Sequence, residues 1–249
     1  LGLRAIFLMT SVGLIVASLF FWLIKPVELP VAERSASTSY RAVLRERPIM
    51  LLCGAQALLM FTMWTGLTLA PNYLQDIHEV SLRTIGQLGS VLAIGSISAA
   101  LIVARVPWFR QTTNAMLATV VFSPLVFALM LTGSATWLFA AAYLLWSIAA
   151  VSAQMFYAAV SEVTPDVLRT RASAVREIIG GGAIAVAGFA AGGLYRISPH
   201  LPLWVGLAGS VGLIATVVAV RRQLTAWSRQ SAISDQLAAA AVSASEPTV

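Results

Sequence analysis

The sequence predicts an all-α, polytopic helical membrane protein with seven transmembrane helices. Three observations carry this. Hydrophobic residues make up 59% of the chain and charged residues 10%, with a mean hydropathy of +0.85; soluble domains carry about 25% charged residues. The apolar residues run in continuous segments of about 20, enough helix to cross about 30 Å of hydrocarbon, and not in the alternating strands of about 10 that build barrels. Basic residues gather in the connections between those segments.

The first span is predicted over 5–24 and stops at Lys25-Pro26. The second covers 49–71, with Pro48 suited to a first helical turn. The third covers 85–104, the fourth 113–132 and the fifth 137–160. The sixth covers 173–197 and the seventh 203–220. The connection 25–48 is polar and basic and reads as a linker between two bundles, with a short surface helix over 40–47. The tail after Arg222 is rich in Ala and Ser and reads as disordered.

Twelve of the 16 Lys and Arg residues lie in 25–48, 105–112, 161–172 and the tail. The opposite connections, 72–84, 133–136 and 196–202, hold only Arg83 and Arg196. The positive-inside rule therefore sets Val249 in the cytoplasm and Leu1 outside, in a multi-pass protein of the cell membrane. The net charge of +6 is absorbed by this orienting role, so lipid is the expected partner and nucleic acid is not. Residue 1 is Leu and an apolar segment follows at once, which reads as the last helix of an N-terminal bundle that is otherwise missing.

The stretch 164–196 is the predicted organising element, with the other six helices around it. A polar turn with Pro165, Arg169 and Arg171 feeds a glycine-rich helix that carries Arg176 and Glu177. These are the only charges set inside a long apolar segment, where an Arg at mid-depth costs about 2.5–3.5 kcal/mol. Sequence neighbours point about 100° apart, so each is expected to meet another element rather than its neighbour. One reading is an interfacial ion-pair network closing the inner side, with Arg176 snorkelling; the other has Glu177 taking up a proton. Small residues such as Gly89 and Gly95, Gly188 and Gly192, and Gly206 and Gly209 predict close helix contacts.

Polar and aromatic side chains within the spans are candidates for a solute cavity: Gln56, Thr62, Trp64, Thr65 and Asn72 in or after the second, and Trp146, Gln154 and Tyr157 in the fifth. Trp108, Trp137 and Trp204 stand at span ends, as interface anchors do. No enzyme is predicted. His78 and His200 fall in outer loops, no paired carboxylates occur within a span, no phosphate-cradling loop is present, and Cys53 is alone, so neither a metal nor a cofactor is expected.

Pro165 through Gly193 resembles the cytoplasmic turn and eleventh helix of the major facilitator superfamily. Ala70-Pro-Asn-Tyr-Leu-Gln, followed by Ser81, Ile85-Gly86 and Leu88, resembles that family's junction of helices seven and eight. The resemblance makes the seven spans family helices six to twelve and the connection 25–48 the central cytoplasmic loop. It implies a six-helix bundle over 49–222, partnered by the missing N-terminal half. The loop Arg105-Val-Pro-Trp-Phe-Arg110 departs from the Gly, Asp and Arg signature often found after family helix eight. Only Arg105 and Arg110 can carry over, so they join Arg169, Arg171, Arg176 and Glu177 as gating or coupling candidates.

The expected function is secondary transport of a small organic solute, drug-like or metabolite, by alternating access, with proton coupling as an option. The alternatives are a seven-helix receptor and a non-transporting membrane subunit. A retinal protein is disfavoured because the only lysine, Lys25, lies at a span end.

Overall fold

The computed structural model describes residues 11–12, 15–16, 18–19, 40–110 and 112–245, with side chains described as far as 226 and Arg110 excepted. The chain divides into two compact units, 1–38 and 39–249. The predicted first span lies largely outside the described residues; positions 11, 12, 15, 16, 18 and 19 are helical.

The second unit is helical, without a strand among the described residues. Its helices are α1 (Tyr40–Arg45), α2 (Arg47–Leu67), α3 (Ala70–His78) and α4 (Leu82–Arg105), then α5 (Thr112–Val120), α6 (Ser123–Thr132) and α7 (Thr136–Val163), and finally α8 (Arg169–Ile197) and α9 (Leu201–Ser245). Short 3₁₀ turns fill Pro107–Arg110 and Asp166–Leu168. Six spans among the described residues are long and apolar enough to cross a membrane. The protein is a multi-pass helical membrane protein.

Local chemistry sets the helix ends. Pro48 stands in the first turn of α2, where its missing N–H costs nothing. Ser81 caps α4, its Oγ accepting from the Thr84 amide at 3.2 Å. Glu79 ends α3 at φ 53°, a left-handed conformation that turns the chain back. Two predicted spans are broken by proline. Pro71 follows Thr68 and Leu69 and separates α2 from α3, and Pro124 separates α5 from α6.

The helix at the centre of the packing is α2, not α8. Within the span containing α2, 56% of the most apolar window is buried, against 17% for the spans of α4 and α8. The prediction that 164–196 organises the fold is thereby corrected. Gly181, Gly182, Gly188, Gly192 and Gly193 face open space, so α8 lacks the side chains that would fill a central position. It packs mainly against α2, with lesser contacts to α9, α1 and α7. Small residues do create close contact elsewhere: Gly66 and Gly206 both receive the Phe127 ring, and Gly95 receives Ser147.

The predicted surface helix exists as α1, but it belongs with the bundle because Val43 is fully buried. The last helix continues to Ser245, through most of the tail read as disordered. Its Ala238–Ala241 run has the highest intrinsic helix propensity. Trp108, Trp137 and Trp204 are exposed at helix ends.

At the end of the bundle that holds the 79–81, 133–135 and 198–200 turns, the two histidines converge. His78 and His200 meet the Tyr73 ring edge-on at 5.2 and 5.3 Å, and His78 also meets Phe139 at 4.8 Å. Tyr195 donates to Asp76 Oδ2 at 2.8 Å and ties α8 to α3.

Candidate functional site

The site forms where one face of α2 looks across to α7 and α8. On α7, Trp146, Ala150, Ala153, Gln154 and Tyr157 recur at helical spacing and share a face. On α8, Arg176, Gly180 and Ile184 stack one turn apart. Between them α2 presents Gln56, Met60 and Trp64. The glycines and alanines of α7 and α8 carry too little side chain to fill the space, and a cleft remains.

The cleft has two chemically distinct parts that share Met60, Ala153 and Ile184 as a common wall. The polar part, about 410 Å³, is lined by Gln56, Gln154, Tyr157, Arg176 and Glu177. The apolar part, about 650 Å³, is lined by Leu59, Met63, Trp64, Tyr143 and Trp146, with Gly89 and Leu92 of α4 at one side. Gln154 also borders a third cavity, of about 410 Å³, between α4 and α7.

Arg176 dominates the polar part. Only 7% of it is exposed, and its guanidinium lies 4.6 Å from the centroid of the Tyr157 ring, a cation–π contact between α8 and α7. Its Nη2 pairs with Glu177 Oε1. Two expectations are corrected here. The sequence neighbours do pair, although Arg176 also meets another helix, as expected, at Tyr157. Arg176 also does not snorkel to solvent; it is covered, whereas the Glu177 side chain is 70% exposed.

Gln56 is 4% exposed and its amide Nε2 lies 3.6 Å from where a Cβ on Gly180 would stand. That places it one helical turn from Arg176. Gln56 Oε1 and Arg176 Nε are both buried without a hydrogen-bond partner. Such orphans are costly and uncommon, and both residues line the same polar cavity.

The other cavity candidates go elsewhere. Thr62 and Thr65 are buried, and Thr62 points to Gly209 of α9, away from the cleft. Asn72 is exposed on α3. Among the gating candidates, Arg169 pairs with Asp166 at 2.6 Å in the turn before α8. Arg171 is half-buried, Arg105 is exposed at the end of α4, and Arg110 lies in the following 3₁₀ turn, its side chain outside the description. The structure therefore gathers Gln56, Trp64, Trp146, Gln154, Tyr157, Arg176 and Glu177 at one cleft.

Sequence reasoning missed Met60, Tyr143, Ala153, Gly180 and Ile184 as lining. Spacing was the available signal: Met60 is four residues from Gln56 and from Trp64, and Gly180 is four from Arg176. No protein family, curated protein or solved structure was found to match the chain.

Proposed function

We propose that the protein is half of a secondary active transporter of the major facilitator type, which carries a small organic solute by alternating access across the cell membrane. The observation that carries the reading is the α2–α7–α8 cleft, polar at one end and aromatic at the other, lined by exposed as well as buried side chains. A second bundle is part of the reading. The spans of α4 and α8 leave most of their surface uncovered, and α8 offers a row of open glycines on which helices could seat closely. Rocking of one bundle against the other would expose the cleft to each side in turn. The basic residues beside the 3₁₀ turns and α1 favour the cytoplasm for that end and for the C-terminus.

Labelling tests this without knowledge of the solute. In a Cys53→Ser background, a cysteine at Gly181 on the cleft wall is treated with a membrane-impermeant maleimide in right-side-out and inside-out vesicles. With the second bundle present, alternating access makes the position reactive from both faces. Reaction from one face only would favour the receptor alternative and count against transport.

A further inference from the structure

We propose that the cleft is a binding site for an amphipathic organic acid, whose carboxylate takes Arg176 from Glu177 and whose apolar body lies along Trp64 and Trp146. This deepens the transporter reading and rests on it only for the claim that the bound acid moves. The binding is separable.

The argument begins with an incomplete ion pair. A guanidinium offers Nε and the adjacent Nη2 as a two-pronged donor that matches the two oxygens of a carboxylate. Glu177 holds Nη2, and Nε has no partner. A buried cation needs full compensation, and a single contact on Nη2 from a carboxylate that is itself mostly uncovered supplies only part of it. Glu177 is a weak occupant because its side chain is 70% exposed and stands on the adjacent residue. A carboxylate on a solute can take both prongs at once, displacing Glu177, whose side chain is already mostly uncovered. The Gln56 Nε2 amide, beside Gly180 one turn away, is a donor that can reach the same head, whereas the unpartnered Gln56 Oε1 accepts only and cannot bond a carboxylate.

The rest of the cleft fixes the body of the ligand. From Gln56 to Trp64 is eight residues along α2, or about 12 Å. The apolar part then offers Trp64, Tyr143 and Trp146 for a flat ring, and Met60 and Met63 as adaptable packing. A carboxylate separated from a ring by several methylenes spans this distance.

The probe is 6-phenylhexanoate, with 6-phenylhexanamide as the uncharged control, titrated against the protein in nanodiscs of zwitterionic lipid. Tryptophan fluorescence reports binding. Saturable quenching by the acid, at least tenfold weaker for the amide, is expected. Arg176→Gln should weaken acid binding at least tenfold. Glu177→Gln, which removes the competing carboxylate, should tighten it several-fold, a gain that misfolding cannot produce. The proposal is overturned if the acid does not bind saturably, if acid and amide bind alike, or if Glu177→Gln fails to tighten binding. Two-sided labelling at Gly181 without acid binding sinks the acid and leaves the transporter. Acid binding with one-sided labelling keeps the site and sinks transport.

Discussion

Thr62 of α2 rests directly against Gly209 of α9. A Cβ built on Gly209 would stand 2.7 Å from Thr62 Oγ1 and 3.0 Å from its Cγ2, so the two helices meet at the width of a glycine. Gly209→Ala should destabilise the bundle by about 1–3 kcal/mol through overpacking. Thr62→Ala in the same chain should restore most of the loss, since it removes the opposing atoms and a buried hydroxyl without a partner. Unfolding in detergent micelles, read as a double-mutant cycle, checks this; additive losses would refute it.

Phe127 is fully buried and packs on both Gly66 and Gly206. Phe127→Ala should cost about 3–5 kcal/mol, the usual range for emptying an aromatic site. Gly192 provides the contrast. It faces open space on α8, so Gly192→Leu should leave the melting temperature of this chain unchanged. If a second bundle covers that face, the same substitution should abolish two-sided labelling at Gly181.

The Arg176–Tyr157 contact requires a ring, not a hydroxyl. Tyr157→Phe should retain stability within about 0.5 kcal/mol, and Tyr157→Leu should lose about 1–2 kcal/mol because the buried cation loses its ring face. Thermal unfolding of the three proteins distinguishes them; equal melting of all three would show that the cation–π contact contributes nothing.

His78 Nε2 is buried without a partner among the rings of Tyr73 and Phe139. An apolar ring of similar shape removes the unmet polar atom, so His78→Phe should be neutral or slightly stabilising. A loss of more than about 1 kcal/mol on unfolding would show that the imidazole makes a polar bond.

Cys53 is 1% exposed on α2. A membrane-permeant maleimide should leave it unmodified in the folded protein and modify it fully after denaturation, as mass spectrometry can report. Rapid labelling of the native protein would show that α2 opens toward the cleft more readily than its packing implies.

The spans could be read from the sequence because hydrocarbon thickness and backbone hydrogen bonding leave few choices. The breaks at Pro71 and Pro124 were visible as prolines, but an apolar average passes over them. The cleft was half legible. Gln154 and Tyr157 stood out as polar or aromatic groups in an apolar run, and both line it. Thr62 and Thr65 stood out in the same way and are buried away from it, because composition does not say which face of α2 meets α9. Arg176 was conspicuous, but the ring that covers it, Tyr157, lies on another helix. The central place of α2 was hidden because glycines in α8 suggest packing, while in this structure most of them meet nothing.

The interruption between α2 and α3 has a mechanical consequence. Pro71 has no amide hydrogen to give the Leu67 carbonyl, and both the amide and the hydroxyl of Thr68 are turned back onto Trp64. The long crossing is thus two rods joined by a knuckle. Trp64 sits just below it and Pro71 just above, both on the rim of the apolar chamber. The upper rod is held by buried Tyr73 and Leu74 and by the Tyr195–Asp76 bond to α8, so its direction is set by side-chain packing and not by the backbone ladder that carries Gln56.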